Sequence, residues 1–183
     1  VDLAVLPATF QNIIKESTGT ISTIVSAGEV LNEETGKYFQ SKGIRLINAY
    51  GPTETTVCAS LSDDPIKENN LITIGRPNPN QQIYLIDNSN NLCPVGVAGE
   101  ICVAGIQIAR GYLNQPELTS EKFIPNLFGD KVNSILYRTG DLGKWLPDGN
   151  IEYLGRLDDQ VKIRGYRIEL GEIESVINQS KLV

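Results

Sequence analysis

The chain has 183 residues, 40% hydrophobic and 21% charged, with 16 Lys and Arg against 22 Asp and Glu for a net charge of -6. This is the composition of a globular chain. Its negative balance argues against a general nucleic-acid surface, and no apolar run reaches the length that spans a bilayer. Histidine is absent, which excludes histidine-based nucleophilic triads and ordinary histidine metal sites. Methionine is absent too, no secretory leader opens the chain, and a start at Val1 reads as a piece of something larger. The three cysteines, Cys58, Cys93 and Cys102, lack CxxC spacing. Their odd number suits reduced thiols in a cytoplasmic protein, and the apolar pattern around Cys102 predicts plain burial.

The first third alternates strand and helix signals. Leu3-Ala4-Val5-Leu6 predicts a buried strand ending at Pro7. Helical spacing runs from Phe10 to Glu16, and a β-branched strand from Ile21 to Val25 ends at Ser26-Ala27-Gly28. Asn32 is a helix cap with Glu33 and Glu34 in the first turn. That helix is predicted to reach about Lys42, before Gly43. Ile44 to Ile47 is the next strand. This order predicts a mostly parallel sheet with its sites at the carboxyl ends of the strands.

After about Cys58 the texture becomes short β segments separated by turns. Strands are predicted at Gln82 to Asp87 and Gly99 to Ala104, around a turn over Asp87 to Asn91. Pro116 to Lys122 is a short helix with Asn114 before it. Tyr137 to Leu146 is extended, Pro147 to Asn150 is a tight turn, and Ile151 to Leu154 pairs back. From Gly155 a third texture begins. Gln160 to Arg164 and Tyr166 to Ile168 alternate around Gly165, and Leu170 to Gln179 is amphipathic. The boundaries expected are an α/β part over 1–58, a distorted antiparallel β-barrel part over 59–155, a hinge over 156–159, and the beginning of a small α+β unit over 160–183.

Three stretches carry chemistry. In "INAYGPTETTVCAS", residues 47 to 60, an aromatic at a strand end precedes Gly51-Pro52, a hydroxyl and a carboxylate. A ring there can face a planar ligand. A Thr53 hydroxyl can bond a phosphate oxygen, and the Glu54 carboxylate suits Mg²⁺, which takes oxygen ligands. An ordinary strand and solvated turn would read the same way. In "LYRTGDLGKW", Asp141 follows Thr139-Gly140 and could take two neighbouring hydroxyls, as on a ribose, or be a plain turn residue. Arg156 to Asp159 interrupts two β patterns with charge, as a solvated loop or a hinge would. The glycines and the Ala109-Arg110-Gly111-Tyr112 turn of "GEICVAGIQIARGYL" read as structural. The segment has neither GxxxxGK[ST] nor GxGxxG.

Taken in order, "NAYGPTE", "GEICVAGIQIARGYL", "YRTGD" and "GRLDDQVKIRGYRIELGEIE" resemble the adenylate-forming (AMP-binding) superfamily, and within it the amino-acid adenylation domain of nonribosomal peptide synthetases, over nearly the whole chain. The resemblance implies activation of an amino acid with Mg-ATP to an aminoacyl-adenylate and pyrophosphate. Transfer to the phosphopantetheine of a peptidyl carrier domain follows, among neighbouring synthetase domains. It implies that Tyr50 stacks on adenine, with Asn48 and Gly51 beside the nucleotide. Thr53 touches phosphate and Glu54 binds Mg²⁺, and these two are the implied catalytic pair. Asp141 clamps the ribose, Tyr153 is a second aromatic, and Arg156 contacts ribose or phosphate. Gly28 and Glu29 belong to the floor between amino acid and adenine. Asp158 is the implied hinge, and Gly165 lines the pantetheine tunnel. Val5, Val25, Ala27, Ala49, Val57 and Cys58 fall on the substrate-pocket positions. All are apolar, so an apolar substrate is expected, since an unpaired charge buried there costs several kcal/mol, on the order of the penalty for any such burial.

The family's glycine-rich phosphate loop and catalytic lysine have no match in the chain, and Lys181 does not correspond to that lysine. The fragment alone is therefore expected to be inactive. Two rival readings stay open: an acyl-CoA or aryl-acid ligase of the same superfamily, and a non-catalytic remnant that binds nucleotide or carrier.

Overall fold

The computed structural model describes residues 2–14, 19–67, 70–129 and 134–180. Three strands open the chain, β1 (Leu3–Leu6), β2 (Thr23–Ala27) and β3 (Arg45–Tyr50), connected by α1 (Ala8–Ile14) and α2 (Glu33–Ser41). They pair in parallel, Val5 opposite Val25 and Ala27 opposite Ala49. Right-handed helical crossovers are how parallel neighbours are joined. Asn32 caps α2 as its sequence position demands, its side-chain oxygen accepting from the Thr35 N–H at 3.0 Å. Under α2 lies a core of Ile24, Leu31, Phe39, Ile44 and Leu46. The predicted first helix ends at Ile14, and its further residues lie outside those described.

A 3-10 turn, Thr53–Thr55, follows β3, and then every pairing is antiparallel. The strands are β4 (Ser60–Ser62), β5 (Thr73–Pro77), β6 (Gln81–Ile86), β7 (Ala98–Gly105), β8 (Phe123–Pro125), β9 (Ile135–Trp145) and β10 (Ile151–Arg156), with α3 (Pro116–Lys122) before β8. Their order is β1-β2-β3-β4-β5-β10-β9-β7-β6, with β8 branching off on β9, so nine strands form one path and all ten belong to one sheet. The expected α/β and antiparallel textures are therefore joined edge to edge through β4 and β5, and the path is open, with β1 and β6 at its ends.

Strand β7 is an interior strand, between β9 and β6, and is buried on both faces. Ile101 and Val103 join Ala59, Ile74, Ile83, Leu85 and Ile151 in one core, while Cys102 and Ala104 join Ile86 and Leu136 in another. That is why its sequence is a continuous apolar run and not an alternation. Cys102 is fully buried, as its surroundings predicted, and burial pushes its thiol well up.

Beyond Arg156 the chain forms a two-stranded hairpin, β11 (Val161–Ile163) and β12 (Tyr166–Ile168), followed by α4 (Leu170–Gln179). Arg164 and Gly165 form its two-residue turn, with φ of 53° and 79°. Positive φ at both positions matches the twist of the flanking strands, and glycine takes that region without strain.

Candidate functional site

A cavity of about 720 Å³ opens where β2 and β3 end, roofed by the β11–β12 hairpin. Gly28, Glu29, Asn48, Ala49, Tyr50 and Gly51 line it from the parallel strands, and Asp141, Tyr153 and Arg156 from β9 and β10. Lys162, Ile163 and Arg164 close it from the hairpin. Residues up to 156 apart in sequence (Ala8 to Arg164) thus meet in one concavity.

Asp141 is the centre of this constellation and only 6% exposed. The Tyr50 hydroxyl donates to Oδ2 at 2.6 Å. The Arg156 Nη1 donates to Oδ1 at 2.8 Å, and the Tyr153 hydroxyl reaches the same oxygen at 3.4 Å. The Tyr50 and Tyr153 rings lie 6.2 Å apart at 44° and rest on the core formed by β5, β6 and β7. Burial raises the Asp141 pKa above the ordinary carboxylate value, against the hydrogen bond from Tyr50 and the charge of Arg156. Burial, and the neighbouring Asp141 charge after it, hold the Tyr50 hydroxyl well above its ordinary pKa, so it donates at neutral pH.

Two bulges aim these groups. On β10, Tyr153 pairs with Gly143 but Gly155 pairs with Leu142, so Leu154 is an extra residue. In a regular strand, positions three apart point to opposite faces. The extra residue restores Arg156 to the face of Tyr153. On β9, Thr139, Gly140 and Asp141 stand opposite Ile101 alone, because Glu100 pairs with Leu142 and Cys102 with Arg138. Gly140 takes φ +73° there, a region open to glycine, and a Cβ at that position would meet the Arg156 guanidinium at 2.8 Å.

Asp158 is bound to Arg156 by two bonds, Nε to Oδ1 at 2.6 Å and Nη2 to Oδ2 at 2.7 Å. These bonds, with burial opposing them, hold its pKa below the usual carboxylate range. Arg156 is therefore shared between Asp141 on the sheet and Asp158 in the segment that leads to the hairpin.

Glu54 lies outside the cavity lining, in a second cluster. It is 6% exposed. Its Oε1 accepts from the Tyr112 hydroxyl at 2.6 Å and from Arg167 Nη1 on β12 at 2.8 Å. Oε2 is buried with no hydrogen-bond partner. Burial works to raise the Glu54 pKa, but the Tyr112 hydrogen bond and the Arg167 charge outweigh it and keep it below the ordinary value. Burial and the bond to Glu54 push the Tyr112 hydroxyl up to about 12.

Thr53 is exposed at the start of the 3-10 turn and does not line the cavity. Of the six substrate-pocket positions only Ala49 lines it. Val5, Val25, Ala27 and Ala49 share one face of the parallel strands, because paired residues and alternate positions do. Val57 is 71% exposed and Cys58 half-buried, beyond the end of β3. The Gly165 N–H donates to Glu29 Oε1 at 2.6 Å, while Glu29 Oε2 accepts from the Thr9 N–H and hydroxyl at 2.8 Å each. Glu29 is thus the contact between turn and hairpin. Lys181 lies outside the described residues. Among the described residues no group of three or more Cys, Asp or Glu side chains is arranged to hold a metal, and no helix is long and apolar enough to cross a membrane.

No sequence motif assigns a role to Tyr112, Lys162 or Arg167, which the structure brings to the two clusters. Tyr112 belongs to a turn that looks structural in the sequence, yet its hydroxyl holds Glu54. Lys162 sits in an alternating strand pattern but lines the cavity, where partial loss of hydration lowers its pKa against the pull of Asp141. A tyrosine directly after Arg-Gly, and basic residues at alternate sides of Gly165, were the available signals.

Comparison with known proteins gives the chain its family. The model of the family described as AMP-binding enzyme matches residues 3–113, and the chain belongs to that family. It is 51% identical over 173 residues to Bacitracin synthase 3 of Bacillus licheniformis and 46% identical over 179 residues to Tyrocidine synthase 2 of Brevibacillus parabrevis, each match covering 94% of this chain. The matches cover only 3% and 5% of those two proteins. Among solved structures it is similar to holo-PA1221, an NRPS protein containing adenylation and PCP domains bound to a vinylsulfonamide inhibitor. That superposition has a TM-score of 0.86 at 28% identity and covers 98% of this chain and 32% of the other.

Proposed function

We propose that this chain is part of an amino-acid adenylation domain of a nonribosomal peptide synthetase, which activates an amino acid with ATP and passes it to a carrier-bound phosphopantetheine. The observation that carries the reading is the meeting of Tyr50, Asp141, Tyr153 and Arg156 at one cavity beside the Gly28-Glu29 turn. The similarity to peptide synthases and to an adenylation and PCP protein supports it.

The residues suit a nucleotide. A carboxylate has about four acceptor sites, and Asp141 uses three, one at Oδ2 and two at Oδ1. It retains capacity for a ribose hydroxyl. Tyr50 and Tyr153 offer rings for the base, with Asn48 and Gly51 beside them, and Arg156 offers a cation toward ribose or phosphate. Gly28 and Glu29 form the floor. The substrate carboxylate attacks the α-phosphate and pyrophosphate leaves. Two anions must be brought together, so orientation and positive charge dominate.

Glu54 fits Mg²⁺. A single carboxylate with substrate phosphates and waters is enough for that ion, and Glu54 has a buried, unpartnered Oε2. When bound, the ion supplies positive charge at the phosphates. Thr53, exposed next to Glu54, supplies a hydroxyl toward phosphate. The shared apolar face of Val5, Val25, Ala27 and Ala49, with Val57 and Cys58 at its end, favours an apolar side chain. The chain divides near 58 and 155, with a hinge at Asp158 leading to the small unit. There Gly165 lies beside the path of the pantetheine.

The test is amino-acid-dependent exchange of labelled pyrophosphate into ATP by the protein that carries this chain. Exchange with an apolar amino acid, with an apparent ATP constant raised by Asp141→Ala, is expected. No exchange with any amino acid, alongside acyl-CoA formation from a carboxylic acid and CoA, refutes the reading.

A further inference from the structure

The bulge that presents Asp141 leaves backbone groups outside the β7–β9 ladder. Three residues of β9 face one of β7, so the N–H groups of Gly140 and Asp141 have no partner in that ladder. Buried N–H groups are nearly always paired, and here side chains do it. Glu100 Oε1 accepts from the Gly140 N–H at 3.0 Å. The Thr139 hydroxyl oxygen accepts from the Asp141 N–H at 2.9 Å and itself donates to the Ile101 carbonyl at 2.7 Å. Glu100 is 7% exposed, and its Oε2 is held by Arg138 Nε at 2.8 Å and by Arg138 Nη2.

We infer that Glu100 is a positioning residue for the nucleotide site. It never reaches the cavity. Its Oε1 replaces the ladder bond that the bulge removes at Gly140, the residue before Asp141, and so fixes the direction in which the Asp141 carboxylate points. A carboxylate suits this role because one oxygen can serve the bulge while the other takes the charge of Arg138, which satisfies an otherwise buried anion. Bulges beside sites re-aim side chains, and this one is held in shape from the neighbouring strand by a residue 41 positions away from the one it aims. The inference rests on the adenylation reading for its consequence, but not for its geometry.

Three variants of the intact protein separate positioning from mere stability. Glu100→Ala removes both contacts. Glu100→Gln keeps an oxygen for the Gly140 N–H and loses the ion pair. Arg138→Met loses the ion pair and keeps the Gly140 bond. All three are expected to lower the unfolding midpoint. Only Glu100→Ala is expected to weaken ATP binding, by about tenfold to a hundredfold, the equivalent of one hydrogen bond to a charged group. Its effect falls on the KM for ATP and spares the KM for the amino acid. Glu100→Gln restores ATP affinity to within about twofold of native, below the resolution of one lost bond. Hydrogen exchange of the segment carrying Gly140 and Asp141 is expected to quicken in Glu100→Ala alone. ATP affinity that falls in step with stability across all three variants overturns the inference, as does unchanged exchange in Glu100→Ala. If the native protein binds no ATP, the adenylation reading falls, and the exchange of this segment still decides whether Glu100 holds the bulge.

Discussion

Replacing Tyr50 by phenylalanine removes one oxygen from the centre of the site and leaves the ring in place. That oxygen donates to Asp141 Oδ2 at 2.6 Å, within the range of a hydroxyl bonded to an ionised carboxylate. A hydrogen bond to a charged group contributes about 1.5–3 kcal/mol. Asp141 is only 6% exposed, so water does not easily take the vacated position. A loss of about 1.5–3 kcal/mol is expected, which lowers the melting temperature of a chain of this size by about 3–12 °C. The penalty has a pH sign. Burial raises the Asp141 pKa above its ordinary value of 3.8, while the Tyr50 donor pulls it back down. A raised carboxyl contributes stability that is present below 3.8 and is lost as pH rises through its folded value. Removing the donor raises that value further, so Tyr50→Phe costs more where the Asp141 carboxyl is ionised than in acid below 3.8. Urea unfolding of Tyr50→Phe, Asp141→Ala and the double variant measures the coupling. A Tyr50→Phe penalty that is the same with and without the Asp141 carboxylate refutes the reasoning.

Three further outcomes follow from the same geometry. Arg167→Ala removes the bond between β12 and the buried Glu54, so hydrogen exchange over 161–168 is expected to quicken while exchange over β7 stays unchanged; equal protection in both proteins contradicts the docking role. Glu54 titrates below its ordinary value of 4.5, and such a group contributes stability that is present above 4.5 and lost as pH falls through the lowered value. The stability gap between native protein and Glu54→Gln is therefore expected to shrink on acidification, and a gap that widens in acid is the opposing result. Asn32→Ala deletes the acceptor for the Thr35 N–H, with an expected loss of about 1 kcal/mol by denaturant unfolding; no loss would mean that the cap is replaced by water.

Local chemistry was legible in the sequence. Asn32 with two glutamates after it specified a capped helix, and α3 and α4 fall on the residues their spacing predicted, Pro116–Lys122 and Leu170–Gln179. Short runs of apolar and β-branched residues specified β1 to β3, and β3 runs past Ile47 to end at Tyr50, the aromatic at a strand end, where it pairs with β4 through Asn48, Ala49 and Tyr50. The motif resemblance named Tyr50, Asp141, Tyr153 and Arg156 together. Tertiary structure alone decided how they meet. A period of two sends Tyr153 and Arg156 to opposite faces, and only the register against β9 reveals the extra residue that returns them to one. It also decided that the carboxylate of Glu54 is held by Tyr112 and Arg167, 58 and 113 residues away. Alternation and capping are properties of neighbouring residues and are written locally. Bulges, and the partners of a buried charge, depend on which strands lie side by side, and the β5–β10–β9–β7 order brings together segments that share no local pattern.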